Sequence, residues 1–197
     1  MKILNLYCGI GGNRKLWDDI DITAVELDNK IAEQYKVLFP NDKVIVADAH
    51  EYLLDHYKEF NFIWSSPPCQ THSRTNYFTQ HIRKRPKYPD MKLYQEIIFL
   101  DKFFKGKYCV ENVIPYYEPL IKAQQIGRHY FWSNFNIPKI EQPKDDIGTM
   151  KQKYGNVASK KPLEERNAVN SELGLHILNC AKNIYKENKI NQIGLFK

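Results

Sequence analysis

Cys69 is the side chain in this sequence best placed for covalent chemistry, because two prolines precede it at the end of an apolar run. Adjacent prolines fix φ and remove amide donors, so they stiffen the exit from a strand and hold the next side chain in one place. Residues 70–90, which follow, are polar and basic, as an exposed loop would be. A cysteine is most often a small buried apolar residue. The diproline and the polar loop favour a presented thiol instead, which can serve as a nucleophile.

Glu111 is a second candidate for chemistry. It lies near the end of the apolar run KYCVENV. A carboxyl group there needs either a basic partner, as Lys or Arg would allow, or a site in which its protonation matters. Glu111 is therefore a candidate partner for Cys69 on a neighbouring strand.

Three further features lie where apolar runs end. YCGIGG, residues 7–12, has three glycines in four residues between a strand and an expected helix, so its backbone can turn sharply and approach a ligand. Glu26 ends the second run and could accept hydrogen bonds from ribose hydroxyls, and Asp48 ends the third. Glycine turns also serve plain packing, and either acid could be a helix cap. Together these features favour a nucleoside-containing cofactor at the edge of a sheet.

The elements that must position these residues alternate along the chain. Strands are predicted at residues 2–7, 22–27, 43–48, 60–66 and 107–113, with one or two more at 129–137. Helices are predicted at residues 29–39, 50–57, 92–104 and 163–186. This alternation predicts an α/β fold with a mostly parallel central sheet and helices on both faces. Ligand sites in such sheets lie at the carboxyl ends of the strands.

Composition limits the class of protein. A chain of 197 residues with 43% hydrophobic and 26% charged residues fits one globular domain, and we expect residues 1–197 to form it. No apolar stretch approaches the roughly 18 residues of a membrane span, and the start runs into glycines rather than a long apolar signal segment. We therefore expect a soluble intracellular protein. The four cysteines form no CxxC pair, which argues against a zinc site or a dense disulfide framework.

Charge is unevenly distributed along the chain. Residues 1–60 carry 7 basic and 11 acidic side chains, which leaves 22 and 12 for the rest. A basic remainder indicates a polyanionic partner, and the alternative is a solvated lysine-rich surface.

The ordered set NLYCGIGG, VELD, ADA, SSPPCQ and VENV resembles the cytosine-C5 DNA methyltransferase family. The likeness covers residues 3–136 and resumes at RNAVNSELGLHI, residues 166–177, although Arg166 stands where the family usually has glycine. A glycine turn followed by PPCQ and ENV in this order is highly specific. The resemblance implies a Rossmann-like class I methyltransferase fold, S-adenosyl-L-methionine as cofactor, S-adenosyl-L-homocysteine as product and no metal.

The resemblance also implies roles for individual residues. Cys69 would be the covalent catalyst with Pro68 beside it, Glu111 would act at N3 of the base, and Arg128 would contact the base's carbonyl oxygen. The implied cofactor-binding residues are Tyr7, Cys8, Gly9, Gly11, Gly12, Glu26, Leu27, Asp48, Ala49, Pro67, Asn167, Ala168 and Val169. The implied substrate-binding residues are Gln70, Ser73, Arg74, Asn112 and Val113.

These residue types suit the reaction. Cytosine C5 is a poor nucleophile, and a thiolate adding to C6 turns C5 into an enamine carbon that can take a methyl group. The addition pushes negative charge toward N3, where a carboxyl group stabilises or protonates it. Loss of the C5 proton then expels the thiol.

A base inside a duplex must be flipped out before it can react. Residues 71–90 hold five basic side chains, one acid and three aromatic residues, Tyr77, Phe78 and Tyr88. In the family this stretch is the loop that closes over the flipped base, with basic groups on phosphates and aromatic groups at the vacated position. The alternative is a solvated loop.

Two departures from the family pattern concern target recognition. Only Arg128 stands near the expected Gln-x-Arg-x-Arg motif, in QQIGRHYFWSN, and its register is ambiguous. Residues 137–166 are a residual target-recognition segment that is too short for an independent domain. Phosphate contacts carry no sequence information, so we expect short or loose specificity unless the catalytic loop or a protein partner or oligomer contributes.

Three functions remain open from the sequence. The first is a DNA (cytosine-5-)-methyltransferase acting on double-stranded DNA in the cytoplasm, of prokaryotic or viral origin, in restriction-modification, phage DNA protection or regulation. The second is the same chemistry on RNA or another pyrimidine, although the Cys-Phe-Thr tripeptide of the tRNA-methylating branch is absent. The third is a non-catalytic module or a subunit of a split enzyme.

Overall fold

The protein is described by a computed structural model that covers residues 1–140 and 168–184. Its strands are β1 (Lys2–Leu6), β2 (Asp21–Glu26), β3 (Lys43–Val46), β4 (Phe62–Ser65), β5 (Lys107–Val113), β6 (Gln124–Ile126) and β7 (His129–Ser133). Its α-helices are α1 (Asn29–Leu38), α2 (Ala49–His56), α3 (Arg74–Phe78), α4 (Lys92–Phe103) and α5 (Ser171–Ala181). Short 3-10 helices lie at Tyr57–Glu59 and Gln80–Ile82.

The strands form one sheet in the order β3-β2-β1-β4-β5-β7-β6. The first five in this order pair in parallel, and β7 runs antiparallel to both β5 and β6. The predicted mostly parallel sheet is confirmed. Because β1 lies between β2 and β4, the chain winds toward one edge after β1 and toward the other after β4, which leaves a crevice at the carboxyl ends of these two strands.

Apolar side chains cover both faces of the sheet. Ile3 belongs to a buried cluster that includes Ile177 of α5, and its neighbour Leu4 belongs to a second cluster that includes Leu53 of α2 and Leu100 of α4. Adjacent strand residues point to opposite faces, so each of the five parallel strands contributes to both clusters. This is why the strand sequences are continuous apolar runs, and the predicted helices on both faces are confirmed.

The segment between β1 and β2 is not helical, contrary to the prediction. Tyr7, Gly9 and Gly11 have φ angles of +53°, +52° and +74°. These values belong to the glycine turn itself, and in the segment that follows it Asp19 also has a positive φ, +53°, which a right-handed helix does not allow. Successive backbone turns instead carry the chain to Trp17, which is buried in the core.

Other boundaries also differ from the prediction. β6 and α3 were not predicted. β6 has only three residues, too few to show the alternation of a strand, and α3 falls within the polar stretch after Cys69. A single strand, β7, stands in residues 129–137. α5 begins at Ser171 rather than at residue 163, since the Asn170 side chain accepts hydrogen bonds from the backbone N–H groups of Glu172 and Leu173 at 2.9 and 3.3 Å and caps the helix. Residues 141–167 and 185–197 lie outside the described residues, so most of the expected recognition segment does too.

Candidate active site

A cavity of about 500 Å³ lies at the crevice where β1 and β4 end. It is lined by segments that are far apart along the chain, namely the glycine turn, the ends of the runs that carry Glu26 and Asp48, the Pro-Cys loop and the segment before α5. The predicted site residues that line it are Tyr7, Cys8, Gly9, Gly12, Glu26, Leu27, Asp48, Ala49, Pro67, Pro68, Cys69, Gln70, Ala168 and Val169.

The glycine turn meets the cavity through its backbone. Gly9 has a positive φ, and no atom lies within 4 Å of the place that a Cβ would take, so its backbone faces open space. At Gly12 a Cβ would lie 2.6 Å from the carbonyl oxygen of Val169. At Gly11 a Cβ would lie 2.4 Å from the ring of Phe39, and Gly11 is not among the cavity residues. Gly9 therefore leaves room for a ligand, whereas Gly11 and Gly12 allow the turn to pack.

Glu26 holds this turn from the end of β2. Its Oε2 accepts a hydrogen bond from the backbone N–H of Gly9 at 3.0 Å, and its Oε1 accepts from Leu27 and Asp28 at 2.9 and 3.1 Å. A carboxylate oxygen accepts about two hydrogen bonds. Oε2 thus has capacity left for a ligand hydroxyl, and Oε1 does not.

Asp48 is a helix cap and a wall of the cavity at once. Its Oδ1 accepts hydrogen bonds from the backbone N–H groups of His50 and Glu51 at 2.8 and 3.3 Å, and its Oδ2 lies 3.7 Å from Nζ of Lys92. Burial acts to raise the pKa of Asp48, but these hydrogen bonds and the Lys92 charge outweigh burial and lower the pKa. The carboxylate is therefore ionised at neutral pH.

The Pro-Cys loop is held from the neighbouring strand. Nδ2 of Asn112, which is buried on β5, donates a hydrogen bond to the carbonyl oxygen of Pro67 at 2.9 Å. The carbonyl oxygen of Cys69 accepts from the N–H groups of His72 and Ser73 at 3.0 and 3.1 Å, which leads the chain into α3. Cys69 remains partly exposed at the cavity, while the other three cysteines are buried.

Glu111 acts electrostatically on Cys69. Burial, and then the negative charge of Glu111, raise the pKa of the Cys69 thiol above its ordinary value. The Glu111 carboxyl group is itself buried, and its Oε1 is hydrogen-bonded to Nδ1 of His129 on β7. This partner is a histidine, where the sequence suggested Lys or Arg. In the free protein Cys69 is therefore a thiol at neutral pH, and neutralising Glu111 favours the thiolate.

Six other predicted residues are described by the structure and do not line the cavity, namely Ser73, Arg74, Glu111, Asn112, Val113 and Arg128. Arg128 is exposed in the turn between β6 and β7. Ser73 caps α3, which begins at Arg74, and Val113 ends β5. Asn167 lies outside the described residues.

Glu96 on α4 has a role that the sequence did not indicate. Glu96 is fully buried; its Oε1 accepts a hydrogen bond from the Tyr7 hydroxyl at 2.6 Å and lies 3.1 Å from Nδ1 of His50, and its Oε2 accepts from the Ser65 hydroxyl at 2.6 Å. The hydrogen bond with Glu96 raises the pKa of His50. The partners belong to the glycine turn, to α2 and to the end of β4, so Glu96 ties three walls of the cavity together. An acid among the apolar residues of LYQEIIFL was the available signal.

Asn5 and Asn13 form a second polar contact that the sequence did not indicate. Both are buried, both line the cavity, and Nδ2 of Asn13 donates a hydrogen bond to Oδ1 of Asn5 at 2.9 Å. This pair joins the end of β1 to the segment after the glycine turn.

The stretch after Cys69 exposes large apolar side chains. Tyr77, Phe78, Ile82 and Tyr88 are each more than half exposed. The ring of Tyr77 stacks on Tyr116, with centroids 4.7 Å apart. A surface of exposed aromatic groups among basic residues has the composition of a nucleic-acid-binding surface.

Residues 1–140 and 168–184 contain no group of three or more His, Cys, Asp or Glu arranged to hold a metal ion. No helix in that part of the chain is long and apolar enough to cross a membrane.

Comparisons with known proteins identify the family of the chain. A family model for C-5 cytosine-specific DNA methylases matches residues 1–114. Among solved structures, Spodoptera frugiperda DNMT2 is 26% identical, with 57% of this chain and 35% of that chain covered and a TM-score of 0.40. A putative DNA modification methyltransferase encoded within an E. coli prophage is 19% identical, with 60% and 33% covered and a TM-score of 0.39. A hypothetical protein from Thermus thermophilus is 14% identical, with 67% and 73% covered and a TM-score of 0.47.

No curated protein shows significant similarity to the chain. The chain spans about a third of the length of the two methyltransferase structures named above. The family match, by contrast, extends from the first strand through the Pro-Cys loop to the end of β5, and it covers more than half of the chain. The protein therefore belongs to the C-5 cytosine-specific DNA methylase family.

Proposed function

We propose that the protein is an S-adenosylmethionine-dependent DNA cytosine-5 methyltransferase that acts through a covalent bond between Cys69 and C6 of a flipped cytosine. One observation carries this proposal: Cys69 lines the same cavity as Gly9, Glu26 and Asp48. A nucleophile and a set of groups suited to a nucleoside thus share one cavity.

The cavity residues fit S-adenosylmethionine. The Gly9 backbone leaves open space, Oε2 of Glu26 has acceptor capacity for a ribose hydroxyl, and the Asp48 carboxylate can accept a hydrogen bond from an adenine amino group. A cavity of about 500 Å³ falls within the range of small-molecule sites, about 300–1,000 Å³. When bound, this cofactor supplies an electrophilic methyl group.

Cys69 and Glu111 would activate the base together. A protonated Glu111 can donate a hydrogen bond to N3 of cytosine, and it no longer opposes ionisation of Cys69, so both effects favour thiolate addition at C6. His129 orients the Glu111 carboxyl group from β7. Asn112 holds the carbonyl of Pro67 and thereby the loop that carries the thiol.

DNA binding would rest on residues 70–90. Exposed Tyr77, Phe78 and Tyr88 can fill or stack at the position that the flipped base leaves, and the basic residues of this stretch can contact phosphates. Gln70 lines the cavity beside Cys69, and Arg128, exposed beyond the end of β5, is the proposed contact to the base's carbonyl oxygen.

The activity is tested by methyl transfer from labelled S-adenosylmethionine to three separate acceptors, namely duplex DNA, single-stranded DNA and tRNA. We expect transfer to duplex DNA. Transfer to tRNA alone would support the RNA alternative, and no transfer to any acceptor would contradict an autonomous enzyme.

The covalent step is tested with duplex DNA that carries 5-fluorocytosine. Fluorine cannot leave as the proton does, so a Cys69 adduct should accumulate and survive denaturing electrophoresis. Cys69→Ala should abolish the adduct, whereas Cys180→Ala, at a buried cysteine outside the cavity, should retain it. An undiminished adduct with Cys69→Ala would exclude this residue as the nucleophile.

A further inference from the structure

His72 carries a buried polar atom without a partner. Its relative exposure is 1%, and its Nε2 has no hydrogen-bond partner among the described residues. His72 also lines the cavity, as does Cys69. Buried polar groups in folded proteins are nearly always hydrogen-bonded, so such a group beside a ligand cavity calls for an explanation.

Nδ1 of His72 is paired with a tyrosine hydroxyl. The Tyr117 hydroxyl lies 2.5 Å from Nδ1 and 3.5 Å from the Tyr94 hydroxyl, which accepts a hydrogen bond from the backbone N–H of Leu120 at 3.2 Å. When the Tyr117 hydroxyl donates to Nδ1, a neutral His72 ring carries its proton on Nε2.

The ring is neutral at physiological pH. Burial lowers the pKa of His72, and this effect outweighs the charge and the backbone of Asp90, which act in the opposite direction. A neutral imidazole carries a proton on only one ring nitrogen, and with Tyr117 donating to Nδ1 that nitrogen is Nε2.

The backbone of His72 is fixed as well. Its N–H donates to the carbonyl oxygen of Cys69 at 3.0 Å, and its own carbonyl oxygen accepts from the N–H of Tyr116 at 3.1 Å. With Tyr117 on the ring, the residue is held at three points. An oriented donor of this kind binds a ligand without first having to be ordered.

We propose that His72 is a ligand-binding residue of this cavity, and that its Nε2–H donates a hydrogen bond to an acceptor oxygen or nitrogen of the bound molecule. The inference rests on the proposed function, which supplies two molecules with such acceptors. One is the cofactor, through its adenine ring nitrogens or its carboxylate. The other is the nucleotide that carries the target base, through its carbonyl oxygen or phosphate.

Two substitutions separate binding from structure. His72→Asn keeps an acceptor near the position of Nδ1 for Tyr117 but removes the Nε2 donor, whereas His72→Gln can place an amide N–H near the position of Nε2 and loses the contact with Tyr117. A binding role predicts that Asn weakens ligand binding and that Gln largely restores it. If His72 has only a structural role, His72→Asn should be more stable than His72→Gln, because Asn keeps the contact with Tyr117. Neither substitution should then change ligand binding. Tyr117→Phe keeps the His72 ring and removes the hydroxyl at Nδ1, so it measures how much that contact contributes to stability and to binding.

The 197-residue chain is titrated with S-adenosylhomocysteine by calorimetry, and kcat and KM for duplex DNA are measured at saturating cofactor. Loss of one hydrogen bond should change one of these quantities about tenfold in His72→Asn. A weaker cofactor affinity assigns the acceptor to the cofactor, and an altered kcat or KM with unchanged cofactor affinity assigns it to the nucleotide.

His72→Asn with wild-type values in both measurements would overturn the inference while leaving the proposed function intact, and a water molecule would then be the partner of Nε2. Wild-type protein that binds neither S-adenosylhomocysteine nor DNA would remove both proposals. Circular dichroism and thermal unfolding of each variant show whether it is folded, and His72→Gln serves as the folded comparison.

Discussion

Removal of the Tyr7 hydroxyl should destabilise the protein more than removal of the Tyr35 hydroxyl. Each hydroxyl donates to a buried carboxyl group, Tyr7 to Glu96 at 2.6 Å and Tyr35 to Asp42 at 2.8 Å. In Tyr35→Phe, Asp42 keeps two hydrogen bonds from the Arg14 guanidinium, at 2.9 and 3.0 Å. In Tyr7→Phe, Glu96 loses one of three side-chain partners, and the rest are a histidine and a serine hydroxyl.

The expected magnitudes follow from this difference. A hydrogen bond to a charged group contributes about 1.5–3 kcal/mol, so we expect Tyr7→Phe to lower the free energy of unfolding by about 2 kcal/mol. Because Arg14 continues to satisfy Asp42, we expect Tyr35→Phe to cost about 1 kcal/mol. In a domain of this length about 2 kcal/mol corresponds to a Tm lower by about 4–8 °C.

Urea unfolding followed by circular dichroism measures these differences. The double variant of Tyr7→Phe with Glu96→Gln should lose less than the sum of the single losses, by about 1 kcal/mol, since both changes break the same bond. Additive losses, or a larger effect of Tyr35→Phe than of Tyr7→Phe, would refute the role of Glu96 in joining the walls of the cavity.

Four further substitutions have defined outcomes. Gly9→Ala should lower the free energy of unfolding by about 1–2 kcal/mol, because a side chain at positive φ is strained. Gly12→Ala should lower it further, because its Cβ would overlap the carbonyl oxygen of Val169, and urea unfolding measures both values. Because the pKa of His50 is raised in the folded protein, the contribution of the charged ring to stability is complete below about pH 6.5 and is lost as pH rises through the raised pKa. Over that pH range the wild-type protein should therefore lose stability relative to His50→Gln. Parallel profiles of stability against pH would contradict this. The Glu111 charge raises the pKa of Cys69, so Glu111→Gln should speed alkylation of Cys69 by iodoacetamide at pH 7.5, and an unchanged rate would argue against that coupling.

Much of the fold could be predicted because its signals are local. The apolar runs that became β1, β2, β4 and β5 are buried on both faces, which makes them conspicuous in the sequence, and α1, α2 and α4 lie within one residue of their predicted bounds. The failed prediction, a helix after the glycine turn, also has a local cause. Asp19, in the segment after the turn, takes a positive φ that its residue type alone does not reveal, so the pattern did not exclude a helix.

The candidate site could be predicted only in part. Glycines, the Pro-Cys pair and acids at strand ends are recognisable by type and spacing, and the cavity contains most of them. Partners that come from distant elements are not. Asp48 could be interpreted as a cap or as a cavity residue, and it is both, because the start of α2 faces the cavity.

The sequence by itself indicated the family and the order of most strands and helices, and it predicted which residues would perform the chemistry, since these inferences depend on residue type and on spacing along the chain. Only the tertiary structure decided that Glu111 pairs with His129, that Glu96 joins three walls of the cavity, and that His72 has one ring nitrogen satisfied and the other open. The reason is physical: a hydrogen-bond partner is set by which strands and helices lie side by side, and the antiparallel addition of β7 to β5 is a non-local pairing that no periodicity in either segment encodes.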